Sequence, residues 1–183
     1  KGTYQDTPAL PFTLGMEVCG SVIAQGPGVT SPAIGTRVVV FGGSGGLADR
    51  GVFAADRCTP VPDTMTPEVA AGFIIAYGTS HLALTRRAQL QAGETLLVLG
   101  AAGGVGLTAV EIGKALGATV IAVARGADKL QAARDAGADQ LIDSDSADIK
   151  SAVKALGGAD VVFDPVGGDM FKAALGACNP EAR

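Results

Sequence analysis

One segment, residues 95–116, limits the possible folds more than any other part of the chain. Thr95–Leu99 is a continuous apolar run with the length of a β-strand buried on both faces. A glycine-rich turn, residues 100–106, follows it directly. Beyond the turn, apolar residues recur at the spacing of one helix face: Val105, Ala109, Ile112 and Leu116. The polar residues Thr108, Glu111 and Lys114 lie on another face, so the sequence predicts an amphipathic helix.

The same alternation of predicted strands and helices continues to the end of the chain. Gly117 precedes a predicted strand at residues 119–123, and a Gly-Ala-Asp triplet precedes each of two more, at 141–142 and 161–163. Gly137 lies 20 residues after Gly117, and Gly158 lies 21 residues after Gly137. This is the period of a strand–helix unit in which glycine supplies the left-handed helix end. We predict an α/β fold with a Rossmann-type, doubly wound parallel sheet.

Residues 1–63 have a different character. They are rich in glycine, proline and β-branched residues, and they predict strands at 17–25, 37–41 and 52–55 around a flexible turn at 42–46. A helix-start signal follows at residues 64–68, and a further helix is expected over 79–90. We therefore expect a β domain over 1–63 and a nucleotide-binding domain over 64–183.

The turn itself reads A-x-G-x-x-G, with Ala101 in place of the usual first glycine. Gly103 would allow close approach of a pyrophosphate, and Gly106 would allow the helix to pack against the strand. The N–H groups at the helix start would bind the anion. The predicted contacts are Ala102, Gly103, Gly104, Val105 and Gly106. A glycine-rich loop without a ligand is the alternative, but the flanking strand, helix and repeated units favour a dinucleotide site.

The end of the second strand indicates which dinucleotide is bound. NAD-preferring domains place an acid there, whereas this strand ends in Ala124 and Arg125. A guanidinium would bind a 2′-phosphate, and Lys129 could add a second positive charge. The alternative for both side chains is a solvated surface position. The sequence predicts NADPH as the cofactor.

Composition excludes several other classes of protein. The net charge is −4, aromatic residues make up 4% and tryptophan is absent, so we expect no nucleic-acid partner. No apolar run approaches the roughly 20 residues of a membrane helix, so we expect no membrane partner. Three widely spaced cysteines fit no disulfide framework and favour a reduced, cytoplasmic setting.

Several motifs, in order, resemble the medium-chain dehydrogenase/reductase superfamily, and specifically its zinc-free quinone oxidoreductase branch. They are Leu10-Pro-Phe-Thr-Leu-Gly-Met-Glu-Val-Cys-Gly20, Gly35-Thr-Arg-Val-Val39, Gly78-Thr-Ser-His-Leu-Ala-Leu84, residues 92–106 and Asp164-Pro-Val-Gly-Gly168. The resemblance implies that 1–63 are part of a GroES-like β domain and that 64–183 are part of a Rossmann domain, incomplete at its C-terminal end. It also implies a homodimer.

The resemblance carries expectations about metal and site residues. Zinc alcohol dehydrogenases of the superfamily have a zinc-binding histidine where Met16 stands here, and the cysteines of a structural zinc lobe are absent, so no metal is expected. His81, the only histidine, is expected to be a partly buried helix residue. Thr79 would lie near the nicotinamide, with a helix cap as the alternative. Tyr4 could donate a proton or be an exposed residue, and no residue is assigned as catalytic.

Without a metal, the expected reaction is hydride transfer from NADPH to a small-molecule quinone or to an α,β-unsaturated carbonyl. Two alternatives stay open. One is an enoyl-thioester reductase, and the other is a low-turnover NADPH-binding protein with a structural or sensing role. The sequence does not identify the substrate or the proton donor.

Overall fold

A computed structural model describes residues 8–183 of the chain. Tyr4, the candidate proton donor, lies outside these residues. The chain divides into two compact units, residues 1–75 and residues 76–183. The expected domain boundary after residue 63 concerns the whole protein and stays a prediction.

The first unit contains a three-stranded antiparallel meander. Its strands are β1 (Glu17–Ser21), β2 (Arg37–Phe41) and β3 (Cys58–Pro60), in the order β1-β2-β3. The centre of β2 forms the core of the sheet, with Val38, Val39 and Val40 all buried. A short helix, α1 (Pro67–Ala71), begins as expected after Thr66, whose hydroxyl accepts a hydrogen bond from the Val69 N–H at 3.4 Å.

Three predicted elements differ from the structure. The strand expected at 17–25 ends at Ser21. The strand expected at 52–55 is absent: Val52 is fully exposed, and a 3₁₀ turn, Ala55–Arg57, leads into β3. The helix expected at 79 begins earlier, as α2 (Phe73–His81), and continues as a π-helical segment, Leu82–Arg87. A nearly unbroken apolar run hides the helical period there.

The second unit is a parallel α/β sheet. Its strands are β4 (Thr95–Leu99), β5 (Thr119–Ala124), β6 (Gln140–Asp143) and β7 (Val161–Phe163), in the order β6-β5-β4-β7. The connecting helices are α3 (Gly104–Ala115), α4 (Ala127–Asp135) and α5 (Ile149–Ala155), and α6 (Gly168–Leu175) follows β7. The chain builds outward from β4 and then returns to its other side, which confirms the doubly wound topology.

Alternate residues of β4 face opposite sides of this sheet. Leu96 and Val98 pack with residues of α3 and α4, including Ala109 and Ala133. Leu97 and Leu99 pack with residues of α5 and α6, including Val153 and Ala174. These four of the five β4 side chains are completely buried, which confirms the expected strand covered on both faces.

The Gly-Ala-Asp triplets have a structural role beyond ending helices. Asp139 accepts a hydrogen bond from the Val120 N–H at 2.7 Å and forms an ion pair with Lys114 at 2.7 Å. Asp160 likewise accepts from the Thr95 N–H at 2.8 Å. Each carboxylate therefore ties the start of its own strand to the start of the neighbouring strand, which explains why the triplet recurs with the period of the sheet.

Candidate dinucleotide-binding site

The glycine-rich turn lies at the carboxyl end of β4, in the middle of the sheet. Its left-handed residue is Gly100, with φ of +60°, so the residue that follows needs no positive φ. The Ala101 N–H donates to the Val123 carbonyl at 3.0 Å, and the Gly103 N–H donates to the Gly100 carbonyl at 2.9 Å. Alanine at position 101 is therefore compatible with the tight turn.

Gly106 is the residue that brings the helix close to the turn. A β-carbon added there would overlap the Gly100 carbonyl oxygen and would lie 2.8 Å from the Ala101 α-carbon. Any larger side chain would push the first turn of α3 away from the strand end. The close approach expected for the last glycine of the motif is thus present in the structure.

The opposite side of the turn is open. A β-carbon at Gly104 would meet no atom within 4 Å, and both Gly103 and Gly104 are exposed. The N-cap residue of α3 is Gly103, which has no side chain to accept hydrogen bonds from the first-turn N–H groups. Donors without a side-chain cap beside open space suit a bound pyrophosphate, because the helix dipole favours an anion there. Ala102 and Val105 are half-buried at the same turn.

A buried hydroxyl pair supports this turn from the other side. Ser80 of α2 is completely buried and donates to the Val105 carbonyl at 2.8 Å. The Ser80 and Thr108 hydroxyls are 2.8 Å apart, and the Thr108 hydroxyl oxygen lies 3.1 Å from the Ala76 carbonyl oxygen. The expectation that Thr108 belongs to a polar face is therefore wrong, since its hydroxyl bonds inward. This pair fixes α2 to the first turn of α3.

Sequence reasoning missed the hydroxyl pair because it selected the neighbouring residue. Thr79 is exposed and lies inside α2, so the alternative of a helix cap is wrong. Its position near the nicotinamide stays a prediction. Close by, Tyr77 donates a hydrogen bond to Glu111, and this bond, with partial burial, raises the pKa of the phenol. One sign of this pair in the sequence is that Ser80 is a hydroxyl residue inside an otherwise apolar helix.

The loop after β7 closes the turn on its far side. Asp164 accepts hydrogen bonds from the Val166 N–H at 2.8 Å and the Gly167 N–H at 2.9 Å, which shapes the Asp164–Gly168 stretch. A β-carbon at Gly100 would lie 2.8 Å from a Val166 methyl carbon. The loops after β4 and β7 therefore meet at the carboxyl edge of the sheet, where nucleotides bind in open α/β folds.

The two predicted cationic residues, Arg125 and Lys129, follow the neighbouring strand β5. Arg125 follows β5 directly and its Nε lies 2.9 Å from Asp145 Oδ1. Ala124, in the position of the usual acid, is buried. Lys129 is exposed, near the start of α4. Both side chains are accessible to a ligand, and their contact with a 2′-phosphate stays a prediction.

Known proteins resemble the chain over most of its length. A family model described as alcohol dehydrogenase GroES-like domain matches residues 1–63, and one described as zinc-binding dehydrogenase matches residues 104–183. The chain is 40% identical over 179 residues to a quinone oxidoreductase-like protein 2 homolog of Nematostella vectensis, covering 95% of this chain and 49% of that protein. It is 41% identical over 176 residues to polyketide synthase GfsB of Streptomyces halstedii, covering 95% of this chain and 3% of that protein.

Solved structures agree with the sequence relatives. The crystal structure of Escherichia coli quinone oxidoreductase complexed with NADPH matches with a TM-score of 0.89 at 32% identity, covering 96% of this chain and 55% of that one. These matches confirm the predicted resemblance to the quinone oxidoreductase branch of the medium-chain dehydrogenase/reductase superfamily. The chain spans about half the length of the quinone oxidoreductase-like relatives it matches.

The described part of the chain offers no set of converging zinc ligands. Across residues 8–183, no group of three His, Cys, Asp or Glu side chains is placed to hold a metal ion. Met16 lies beside a cavity of about 530 Å³ that Phe41 and Thr59 also line. His81 is exposed, so its expected partial burial is wrong.

Two further findings concern the helices and the cysteines. In residues 8–183, no helix has the length and apolarity needed to cross a bilayer. The cysteines Cys19, Cys58 and Cys178 are all unpaired. Burial raises the thiol pKa of both Cys19 and Cys178, so neither is an activated thiolate.

Proposed function

We propose that the chain forms the dinucleotide-binding part of an NADPH-dependent oxidoreductase. This enzyme transfers hydride to a small-molecule quinone or to an α,β-unsaturated carbonyl, and it uses no zinc. The observation that carries the proposal is the turn at residues 100–106, where Gly103 and Gly104 are exposed and Gly104 faces open space beside helix N–H groups that have no side-chain cap. The NADPH complex of the E. coli relative supports the choice of cofactor.

Each residue of the turn has a separate task in this proposal. Gly103 and Gly104 let the pyrophosphate approach the backbone, and the N–H groups at the start of α3 neutralise its charge. Gly106 lets α3 pack closely against the end of β4, and the Ser80–Thr108 pair fixes the position of the first turn of α3 relative to α2. Arg125 and Lys129 hold the 2′-phosphate, and Thr79 lies toward the nicotinamide.

The choice of acceptor follows from the side chains that are available to bind a metal ion. Bound NADPH supplies the hydride, so the protein has to position the acceptor and stabilise the oxygen charge that develops. A zinc ion that polarises an alcohol needs three or four converging side-chain ligands. Residue 16, where zinc alcohol dehydrogenases have a zinc-binding histidine, is a methionine here. An acceptor that is already activated, such as a quinone or an enone, needs no such ligands. By family resemblance we also expect a homodimer, and the cysteine composition favours the cytoplasm.

A second candidate function is reduction of an enoyl thioester. The 41% identity to a segment of polyketide synthase GfsB favours it, because polyketide synthases carry their intermediates as thioesters. The hydride would again be added to a carbon–carbon double bond conjugated with a carbonyl. The two candidates therefore share the cofactor site and differ in the acceptor that they bind.

Cofactor affinity is the first test. The purified protein, with any sequence that adjoins residues 1–183, is titrated with NADPH and NADH, beside Arg125→Ala. We expect NADPH to bind at least about tenfold more tightly, which corresponds to about 1.4 kcal/mol, and the substitution to remove most of that preference. Arg134→Ala is the matched control, because Arg134 is exposed in the last turn of α4. Equal binding of NADH would overturn the cofactor assignment, and binding of neither would overturn the site.

Turnover distinguishes the remaining possibilities. NADPH oxidation is measured with a quinone, a simple enone and a crotonyl thioester, with and without a zinc chelator. Faster turnover of the quinone or enone supports the first candidate, and faster turnover of the thioester supports the second. Cofactor binding without any turnover points to a structural or sensing role, and inhibition by the chelator would contradict the zinc-free mechanism.

A further inference from the structure

The end of β5 lacks the acid that usually selects NAD, but a neighbouring loop brings one to the same place. The position of the usual acid is taken by the buried Ala124, and Arg125 follows it in an exposed position. The carboxylate of Asp145, from the loop after β6, lies 2.9 Å from Arg125 Nε. The sequence pattern around residue 124 gives no sign of this carboxylate, because it belongs to the next strand–helix unit.

Backbone contacts fix both partners of this ion pair. Asp143 Oδ1 accepts hydrogen bonds from the Gly126 N–H at 3.2 Å and from the Asp145 N–H at 3.1 Å. The Ser144 N–H donates to the Ala124 carbonyl at 3.0 Å. The loop after β5 is therefore tied to the loop after β6 on both sides of the pair. Asp145 faces Arg125 because of this arrangement, and not only because two long side chains meet at the surface.

The ion pair changes what Arg125 can offer a ligand. The Asp145 carboxylate lies on the Nε side of the guanidinium. The pair as a whole carries no net charge, so its attraction for a phosphate dianion is much weaker than that of an isolated arginine. The two side chains are 72% and 57% exposed, so solvent screens the pair, and an effect of moderate size is expected.

We propose that Asp145 sets the cofactor selectivity of this site, by neutralising Arg125 and by supplying the acid that β5 lacks. The inference rests on the proposed NADPH function. A 2′-phosphate meets the arginine and the carboxylate together, and like charge opposes its binding. The 2′-hydroxyl of NADH meets the same carboxylate as a hydrogen-bond acceptor. Asp145 therefore lowers the preference for NADPH that Arg125 creates.

The test is the ratio of dissociation constants for NADH and NADPH in Asp145→Asn, measured against the wild-type protein. We expect this ratio to rise by about three- to fivefold, in the upper range of surface charge pairs, mainly through tighter NADPH binding. The rise should shrink at high salt. Adenosine 2′,5′-bisphosphate should gain affinity in the variant, and 5′-AMP should not, because only the former carries the 2′-phosphate.

Asp135→Asn is the matched control. It removes the same charge from the exposed C-terminal end of α4, and it should leave the ratio within about twofold of wild type. An unchanged ratio in Asp145→Asn would overturn the inference. Weaker NADPH binding in that variant would also overturn it, since Asp145 would then be orienting Arg125 for the phosphate. If the wild-type protein binds neither cofactor, the proposed function itself fails, which is a separate result.

Discussion

The two units of the molecule use their apolar residues in different ways. In residues 76–183, both faces of β4 and β5 are covered by helices, and their apolar side chains are almost completely buried. In the described part of the first unit, the buried hydrophobic residues are only Val38, Val39, Val40 and Ala70. Several large apolar side chains of that unit are more than half exposed: Leu10, Leu14, Ile23, Ile34, Leu47, Val52 and Val69. The difference locates most of the hydrophobic stabilisation in the second unit.

Individual glycines also differ in how closely they are packed. In the second unit, Gly106 and Gly113 lie where α3 touches the sheet, and a β-carbon at Gly113 would lie 2.5 Å from a Leu96 methyl carbon. In the first unit, Gly20 and Gly26 have open space around them. Gly106 and Gly113 thus permit close packing of a helix on a strand, whereas Gly20 and Gly26 do not. The contrast can be tested with matched substitutions.

The largest effect is expected from the same substitution in each core. Leu97→Ala leaves a cavity beneath α5 and α6, and we expect it to lower the free energy of unfolding by about 2–5 kcal/mol. Leu47→Ala, at a side chain that is 72% exposed, should change it by less than about 0.5 kcal/mol. Urea unfolding followed by circular dichroism measures both. Equal effects would show that the two units do not differ as described.

A smaller effect is expected from adding one methyl group. Gly106→Ala forces α3 away from the turn, and we expect a loss of about 1–3 kcal/mol together with at least about tenfold weaker NADPH binding. Gly20→Ala adds the same group to open space in β1 and should be neutral or slightly stabilising. Calorimetry and cofactor titration report the two quantities separately. Unchanged NADPH binding in a folded Gly106→Ala protein would argue against the assigned turn.

The contrast also explains which elements could be predicted from the sequence. β4, α3 and β7 were predicted closely because their apolar residues are required by burial on both sides of the sheet. The first unit imposes fewer such requirements, so the strand expected at 52–55 has no counterpart and β1 ends four residues early. Its loops are held by backbone hydrogen bonds, such as Gly42 N–H to the Met16 carbonyl, which leave no pattern in the side chains.

The candidate site was predictable where backbone conformation decides it. Gly103 and Gly106 follow from the geometry that a turn at the end of a strand needs. Ser80 and Asp145 were not predictable in this way, because each acts on a residue of a different strand–helix unit. Only the topology brings such residues together. Contacts between units of the sheet therefore mark the limit of what local sequence patterns can predict.

The smallest expected effect concerns pH and acts on the second unit. Hydrogen bonds from Asn179 and from the Thr95 N–H hold the pKa of Asp160 below its usual range. Since the folded-state pKa is lower than the unfolded one, this carboxylate contributes stability above about pH 4 and loses it as the pH falls further. At pH 7, Asp160→Asn should therefore lower the thermal midpoint by about 2–4 °C. The difference from wild type should shrink at pH 3. Asp63→Asn, at an exposed carboxylate of the first unit, should have little effect at either pH. A difference for Asp160→Asn that stays constant between pH 7 and pH 3 would mean that the amide fails for steric reasons, and that charge at Asp160 does not tie β7 to β4.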